Sequence, residues 1–230
     1  KNIKNVQNLF GNIYVIRTIE LKKVESILKN DPAVVYTERN HRSERKSLPM
    51  PFKNSAITSD QLKTETSFFN DPQVEKIWSF KDANQNGVSV NAAYEQYGTT
   101  NTTPVIVAVV DTGVDINHED LKDVIWTNTA EIPNNGIDDD GNGYIDDIHG
   151  INTLVRDTEG KATVNITDTH SHGTHVSGTI AAKQNNNIGI AGIASNVKIM
   201  AIRTVPNNGD ETDIDVAEAF VYAARNGARL

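Results

Sequence analysis

The chain has 230 residues, 37% of them hydrophobic, which is enough for a large domain or for a small one plus part of a large one. Its 30 acidic and 22 basic residues give a net charge of −8, a balance that argues against nucleic-acid binding. The absence of cysteine excludes a disulfide framework, and no apolar run reaches the roughly 18 residues that a membrane-spanning helix needs.

Residues 1–45 have the pattern of a small separate unit. Residues 13–19 are rich in β-branched side chains and predict a strand, and apolar residues at helical spacing predict a helix over 21–28. Residues 34–37 predict a second strand. A strand, a helix and a strand in so short a segment bury too little surface to form a core alone.

The composition of residues 46–68 differs from that of residues 69–230. Residues 46–68 are rich in Lys, Ser, Thr and Pro and predict a linker. Within 69–230, apolar runs predict buried strands at 105–110 and 197–203, and helical spacing predicts the helices 90–97 and 214–226. Strands that alternate with helices predict an α/β fold with a doubly wound parallel sheet.

Asp111 closes the first of these buried strands and is followed by Thr112 and Gly113. Open α/β folds place their active sites at the carboxyl edge of the sheet, where such a residue must lie. Taken alone, an aspartate in this position more often caps the following turn. The functional interpretation therefore needs a second segment.

That second segment is a histidine-rich stretch followed by small and apolar residues that predict a tightly packed helix. It contains His170, His172 and His175, but H-x-H-x-x-H lacks the glutamate of the zinc-protease helix motif, so a zinc site is disfavoured. His170 is expected in a loop. His175, one helical turn after His172, is expected to pack inside.

Together, the segments around Asp111 and His172 resemble the D-[ST]-G and H-G-T-H-V-[AS]-G motifs of the subtilisin-like serine proteases, or subtilases. The resemblance implies an endopeptidase that cleaves peptide bonds in protein and peptide substrates through an Asp-His-Ser triad. Histidine suits the role of base, since it titrates near neutrality, and the aspartate orients it. The alternatives are a catalytically dead, calcium-binding relative and an interaction fragment.

The serine and the oxyanion-hole asparagine of the family have no counterpart in this chain. No serine here has the G-T-S-M-[AS] context of the subtilase nucleophile. The resemblance implies that both residues lie beyond residue 230 and that these 230 residues alone are inactive. The C-terminal remainder of the protease is then an expected partner, within the same polypeptide or as a separate chain.

Residues 28–38 resemble the end of the subtilase propeptide, an inhibitory intramolecular chaperone. The resemblance implies a zymogen, with the processing junction in residues 46–68, and a secreted protein. The chain begins with polar residues, so an export signal would have been removed from this numbering. A generic βαβ module is the alternative for residues 1–45.

An acidic segment at 128–150 carries the first part of a calcium-loop pattern, D-x-D-x-[DN]-G. Position twelve holds His149 instead of the glutamate of an EF-hand, so another residue must complete the shell. Some subtilases carry a similar calcium-binding insertion; the alternative is a solvated acidic loop. The predicted Ca²⁺ ligands are Asp138, Asp140, Asn142, Tyr144, Asp146 and Asp147.

A second calcium site is implied by the resemblance alone. In the family, one ion ties the start of the mature chain to an aspartate after the D-T-G motif and to a loop after the histidine helix. The matching residues here are Asp71, Asp120, Asn186, Ile188 and Ile190.

Overall fold

The computed structural model describes residues 3–10, 12–41, 68–98 and 103–229. The linker predicted at 46–68, with the processing junction predicted in it, therefore lies almost entirely outside the described residues. In the described ranges, no helix combines the length and the apolar composition that crossing a membrane requires.

The N-terminal unit is a β-hairpin followed by a helix. Strand β1 (Ile3–Phe10), which the sequence pattern did not predict, pairs antiparallel with β2 (Ile13–Thr18), and helix α1 (Leu21–Lys29) follows. The strand predicted at 34–37 is wrong, because this segment has no strand hydrogen bonds in the described structure. Its apolar side chains Val35 and Tyr36 point into solvent.

The remainder of the described chain is built on a four-stranded sheet, with short 3₁₀ turns at Val74–Lys76, Trp78–Phe80, Ala83–Gln85 and Lys122–Val124. Its elements are helix α2 (Val90–Tyr97), strands β3 (Val105–Asp111), β4 (Gly150–Arg156) and β5 (Ala162–Thr163), helix α3 (His172–Ala181), strand β6 (Val197–Arg203) and helix α4 (Asp213–Arg225). The strand order is β3-β6-β4-β5, and only β5 runs antiparallel to its neighbour.

The two faces of the sheet are covered by different helices. Strand β6 is mostly apolar, and its successive side chains point to opposite faces. Ile199 and Ala201 pack in a core cluster with Ala181 of α3, whereas Met200 and Ile202 pack in a second cluster with residues of α4. The predicted α/β fold with a doubly wound parallel sheet is therefore confirmed, with the antiparallel strand β5 as an unpredicted addition at its edge.

The carboxyl ends of β3 and β6 lie side by side, next to the first half of β4. Asp111 at the end of β3 is in register with Arg203 of β6, which is in register with Asn152 of β4. The chain after β6 turns back over this edge, because Thr204 and Val205 both donate backbone hydrogen bonds to the carbonyl oxygen of Asp111. The site described next is built on this edge.

Candidate active site

Asp111 and His172 are directly hydrogen bonded. The ring Nδ1 of His172 lies 2.7 Å from Oδ1 and 2.8 Å from Oδ2 of Asp111. Asp111 is the last residue of β3 and His172 is the first residue of α3, so the sheet edge meets the start of the helix here. The Asp111 side chain is 14% exposed and the His172 side chain 54% exposed, so the carboxylate is covered while the ring remains open to solvent.

Two glycines allow the turn after β3 to approach the start of α3. Gly113 has φ +108°, a conformation that favours glycine, and a Cβ built on it would lie 2.4 Å from the carbonyl oxygen of Ile166. A Cβ on Gly173 would lie 2.1 Å from the carbonyl oxygen of Gly113. The hydrogen bond between Asp111 and His172 therefore depends on residues without side chains at these two positions.

The second ring nitrogen of His172 is available for chemistry. In the part of the chain that the structure describes, Asp111 is the only hydrogen-bond partner of the ring. An ionised carboxylate only accepts hydrogen bonds, so Nδ1 carries a proton, and in the neutral ring Nε2 then keeps its lone pair. A neutral imidazole held in this way can take a proton from a hydroxyl placed against Nε2.

The neighbouring histidines are not part of this pair. His170 is exposed, as expected for a loop, with its ring centroid 6.4 Å from that of His172. The expectation that His175 packs inside is wrong. The buried positions of α3 are Gly173, Ser177 and Ala181, which form one stripe at four-residue spacing, and His175 lies off this stripe and is exposed.

Asp168 is a residue of this site that the sequence pattern did not reveal. Its carboxylate accepts five hydrogen bonds, from the backbone N–H groups of His170, Ser171 and Thr174 and from the hydroxyls of Thr112 and Thr174. Partial burial alone would raise its pKa, but these hydrogen bonds outweigh burial and lower the pKa to about 2. A D-x-x-x-H spacing is the only signal in the sequence that could have pointed to it.

The acidic segment forms a cluster of three carboxylates. Single oxygens of Glu131, Asp140 and Asp147 all lie within 4.8 Å of one another. Glu131 is 5% exposed and Asp147 0% exposed, and burial raises the pKa of Asp147 to about 6. Buried carboxylates that face each other repel unless a cation lies between them, and oxygen donors suit a hard divalent ion, so the residues present could hold such a metal.

Some of the ligands predicted in this loop belong to the cluster and others do not. Asp140 and Asp147 belong to the cluster, and the Asn142 amide donates to both of them. Asp138 and Asp146 lie outside the cluster, and their carboxylate oxygens accept backbone N–H groups of the loop. The Tyr144 hydroxyl donates instead to Glu218. Glu131, which is in the cluster, was not predicted.

The residues of the second predicted metal site are gathered at one loop. The carboxylate of Asp71 accepts the backbone N–H groups of Asn185 and Asn186, and Asp120 accepts the Asn186 amide and the N–H of Ile190. The N–H of Ile188 donates to the Asn186 side chain. Both aspartates are buried. The two carboxylates and the amide oxygen are donors of the kind that calcium prefers.

Known proteases are similar to this chain in sequence. Subtilisin-like protease 1 of Plasmodium berghei (strain Anka) is 35% identical over 153 residues, which is 66% of this chain and 24% of that protein. The cell wall-associated protease of Bacillus subtilis (strain 168) is 28% identical over 236 residues, covering 100% of this chain and 22% of that protein. The chain thus spans about a quarter of the length of these relatives.

The fold is also that of solved subtilase structures. The epidermin leader peptide processing serine protease (EpiP) of Staphylococcus aureus superposes with a TM-score of 0.51 and 21% identity, over 97% of this chain and 43% of that one. The model of the subtilase family matches residues 102–230, which include β3, α3 and the hydrogen-bonded pair of Asp111 and His172. On this match, the chain belongs to the subtilase family.

Proposed function

We propose that the chain is part of a serine endopeptidase in which His172 is the general base and Asp111 is the residue that orients it. The observation that carries the proposal is the hydrogen bond from His172 Nδ1 to Asp111, in a side chain that is 54% exposed and whose other ring nitrogen has no hydrogen-bond partner among the described residues. A serine hydroxyl is a weak nucleophile until a base takes its proton, and Asp111 stabilises the imidazolium that then forms. Membership of the subtilase family supports the same chemistry.

The nucleophilic serine is proposed to come from sequence outside these 230 residues, together with the oxyanion asparagine. Two observations support this. No hydroxyl among the described residues is hydrogen bonded to His172, and the chain spans only about a quarter of the length of its relatives. The C-terminal remainder is therefore the partner that completes the site, and the 230 residues alone are expected to lack activity.

The N-terminal unit is proposed to act as an inhibitory propeptide, which makes the protein a zymogen. The end of this unit contacts the first turn of α4. The N–H of His41 donates to Asp213 Oδ2 at 2.9 Å, and Ile214 donates its N–H to the Asn40 side chain at 3.1 Å. The first backbone N–H groups of a helix have no acceptor within the helix, and the Asn40 side chain is the acceptor for one of these N–H groups.

Calcium is the proposed cation of the Glu131, Asp140 and Asp147 cluster and of the loop around Asp71 and Asp120. In both places the donors are carboxylate and amide oxygens, which select hard cations over thiophilic metals. Within the described residues no lysine or arginine forms an ion pair with the three clustered carboxylates. A bound ion would stabilise the fold by the free energy of its binding, which a chain without disulfides cannot obtain from cross-links.

The protein is proposed to act outside the cytoplasm on protein and peptide substrates. The name of the Bacillus subtilis relative places that protein at the cell wall, and a calcium-dependent fold suits a medium with abundant calcium.

Labelling with a fluorophosphonate tests the function. The mature full-length protein is expected to be labelled at one serine, because the probe reacts with a serine activated by a base. His172→Ala should reduce labelling strongly, whereas His175→Ala, an exposed histidine one turn along α3, should label like the wild type. A folded wild type that is not labelled would instead support a catalytically dead, calcium-binding relative.

A further inference from the structure

Two threonine hydroxyls join the turn after β3 to the first turn of α3. The N–H of Gly173 donates to Oγ1 of Thr112 at 3.0 Å, and the N–H of Asp115 donates to Oγ1 of Thr174 at 3.0 Å. Each hydroxyl therefore accepts a backbone hydrogen bond from the opposite segment. The first bond joins the residues that directly follow Asp111 and His172 in the chain.

One carboxylate sets the direction of both hydroxyls. Thr112 Oγ1 lies 2.9 Å from Oδ1 of Asp168, and Thr174 Oγ1 lies 2.6 Å from Oδ2. A hydroxyl has a single hydrogen to donate, and an ionised carboxylate can only accept. The hydrogens of Thr112 and Thr174 must therefore point to Asp168, which leaves their lone pairs for Gly173 and Asp115.

The same carboxylate caps α3. The cap residue Ser171 has φ +79°, a left-handed conformation that is uncommon for a residue other than glycine, and its side chain makes no capping bond. Asp168 instead accepts the N–H groups of Ser171 and Thr174, both at 2.9 Å. A negative charge at this end of the helix also interacts favourably with the helix dipole.

The reactive pair depends on this scaffold for its alignment. The N–H of Thr112 donates to Oδ1 of Asp111 at 2.7 Å, so the turn that Asp168 holds also orients the Asp111 carboxylate. His172 is half exposed, and in the described structure its ring is held by Asp111 alone. The position of the imidazole therefore follows the position of the first turn of α3.

We propose that Asp168 is a positioning residue, which aligns His172 with Asp111 by holding the two threonine hydroxyls and the start of α3. Its hydrogen bonds in the described structure reach neither the ring of His172 nor the carboxylate of Asp111. The inference rests on the proposed function where activity is concerned, but the geometry it describes can be measured without turnover.

Asp168→Asn changes the direction of the hydrogen bonds while keeping the size of the side chain. In either orientation the amide nitrogen that this substitution introduces would face donors, at Thr174 on one side or at His170, Ser171 and Thr112 on the other, where an acceptor now lies. In the full-length mature protein we expect kcat to fall about 10- to 100-fold with little change in KM, since misplaced reacting groups lower the rate more than substrate binding.

A spectroscopic readout separates positioning from general stability. The Nδ1 proton of His172 should give an isolated low-field signal in proton NMR, because it is shared with a carboxylate. The signal should broaden or move upfield in Asp168→Asn. Asp157→Asn is the matched control: Asp157 also accepts two backbone N–H groups, in the turn between β4 and β5, and this variant should keep both kcat and the signal.

Variants of Thr112 test the same network if Asp168→Asn folds poorly. Thr112→Val has a similar shape but loses the hydroxyl that bridges Gly173 and Asp168, and it should reproduce both effects. Thr112→Ser retains the hydroxyl and should restore most of the rate and the low-field signal. Because Thr112 and Asp168 share one hydrogen bond, the double variant should lose less than the product of the single losses.

The outcomes separate this inference from the proposed function. A wild type without peptidase activity that shows the low-field signal, with the signal lost in Asp168→Asn, would overturn the proposed function and support the positioning role. An active wild type whose kcat and signal both survive Asp168→Asn would overturn the positioning role. Loss of kcat with an unchanged signal would also overturn it.

Discussion

His172 Nδ1 faces both carboxylate oxygens of Asp111, at 2.7 Å and 2.8 Å, across the boundary between the sheet edge and the start of α3. This contact fixes the tautomer of the ring, because the carboxylate needs a donor and only Nδ1 is within reach. Nε2 is then left as the proton acceptor. The contact therefore determines whether His172 can act as a base.

Asp111→Asn is predicted to abolish most of the activity while preserving the fold. The asparagine amide can donate to Nδ1, which favours the wrong tautomer and removes the charge that stabilises the imidazolium. In the mature full-length protein we expect kcat/KM for a peptide substrate to fall by about 1,000- to 10,000-fold. The melting temperature should change little, and a rate within a few-fold of the wild type would contradict the role given to Asp111.

Gly173→Ala is predicted to separate the two segments that carry the pair. Its Cβ would lie 2.1 Å from the carbonyl oxygen of Gly113 and 3.1 Å from Cβ of Asp111, so the start of α3 must move. We expect at least about a 100-fold loss of kcat/KM, as for other misplaced reacting groups.

Gly178→Ala in the same helix is the matched control for that substitution. A Cβ at Gly178 meets only Cδ1 of Ile190, at 3.9 Å, and alanine raises helix propensity by about 1 kcal/mol. The control should be active and at least as stable as the wild type in urea unfolding. Equal losses in both variants would show that close packing at Gly173 does not matter specifically.

The sequence predicted the strands whose residues are apolar along most of their length. Strands β3 and β6 are largely continuous apolar runs, and their bounds were predicted to within one residue. Strand β4 was missed because it buries polar residues: Asn152 donates to the carbonyl of Asn165, and the hydroxyl of Thr153 pairs with that of Thr204. These partners are distant in sequence, so no local pattern reports them.

The sequence predicted the site residues that lie in short motifs and missed those that the fold brings together from separate segments. Asp111 and His172 each lie in a recognisable motif. Glu131 lies seven residues before the acidic repeat that begins at Asp138, and it joins Asp140 and Asp147 because the N–H of Asn128 pairs with the carbonyl of Ile148 at 2.7 Å. No local pattern in the sequence indicates that the chain near Asn128 pairs with the chain near Ile148.

Glu131→Gln is predicted to weaken metal binding at the acidic cluster. The amide keeps the size of the side chain but removes one of three converging charges. For the wild type, calcium at about 100 times its dissociation constant should add about 2.7 kcal/mol to the free energy of unfolding. The variant should lose much of this gain, as measured by urea unfolding with calcium and with EDTA.

Asp139→Asn is the control for the acidic cluster. Asp139 lies in the same loop, but its carboxylate accepts the N–H of Ile132 and the Asn135 amide, and it is not part of the cluster. The calcium-dependent gain should be preserved in this variant. If Glu131→Gln and Asp139→Asn respond to calcium alike, the cluster is not the binding site.

Arg156→Met is predicted to destabilise the packing of α4 against β4. The guanidinium pairs with Glu218 and, at 2.7 Å, with Asp215, and burial raises the pKa of Glu218, whose side chain is 2% exposed. Removing one partner of a buried pair leaves an uncompensated charge and costs about 3–5 kcal/mol. The double variant Arg156→Met with Glu218→Gln should recover part of this loss in urea unfolding.

Lys161→Met is the comparison that measures how much an exposed ion pair contributes to the free energy of unfolding. Nζ of Lys161 lies 3.7 Å from Oε2 of Glu159, and both side chains are more than half exposed. Such pairs contribute at most about 1 kcal/mol, so this variant should be close to the wild type in the same measurement. A similar cost for Lys161→Met and Arg156→Met would contradict the burial argument.

Asp168 is predicted to contribute stability that depends on pH. Its pKa is lowered from 3.8 in the unfolded reference to about 2 in the folded protein, because its hydrogen bonds favour the ionised form more than burial disfavours it. A group with a depressed pKa stabilises the fold fully above its unfolded pKa, and this contribution is lost as the pH falls through the folded pKa.

The difference in unfolding free energy between wild type and Asp168→Asn should therefore be constant above about pH 5 and shrink as the pH falls toward about 2. Urea unfolding of the serine-inhibited full-length proteins across that range measures the difference, with Asp157→Asn as the reference for the substitution itself. A difference that stayed the same down to the acid limit would mean that the carboxylate charge of Asp168 is not what holds the two threonine hydroxyls and the start of α3.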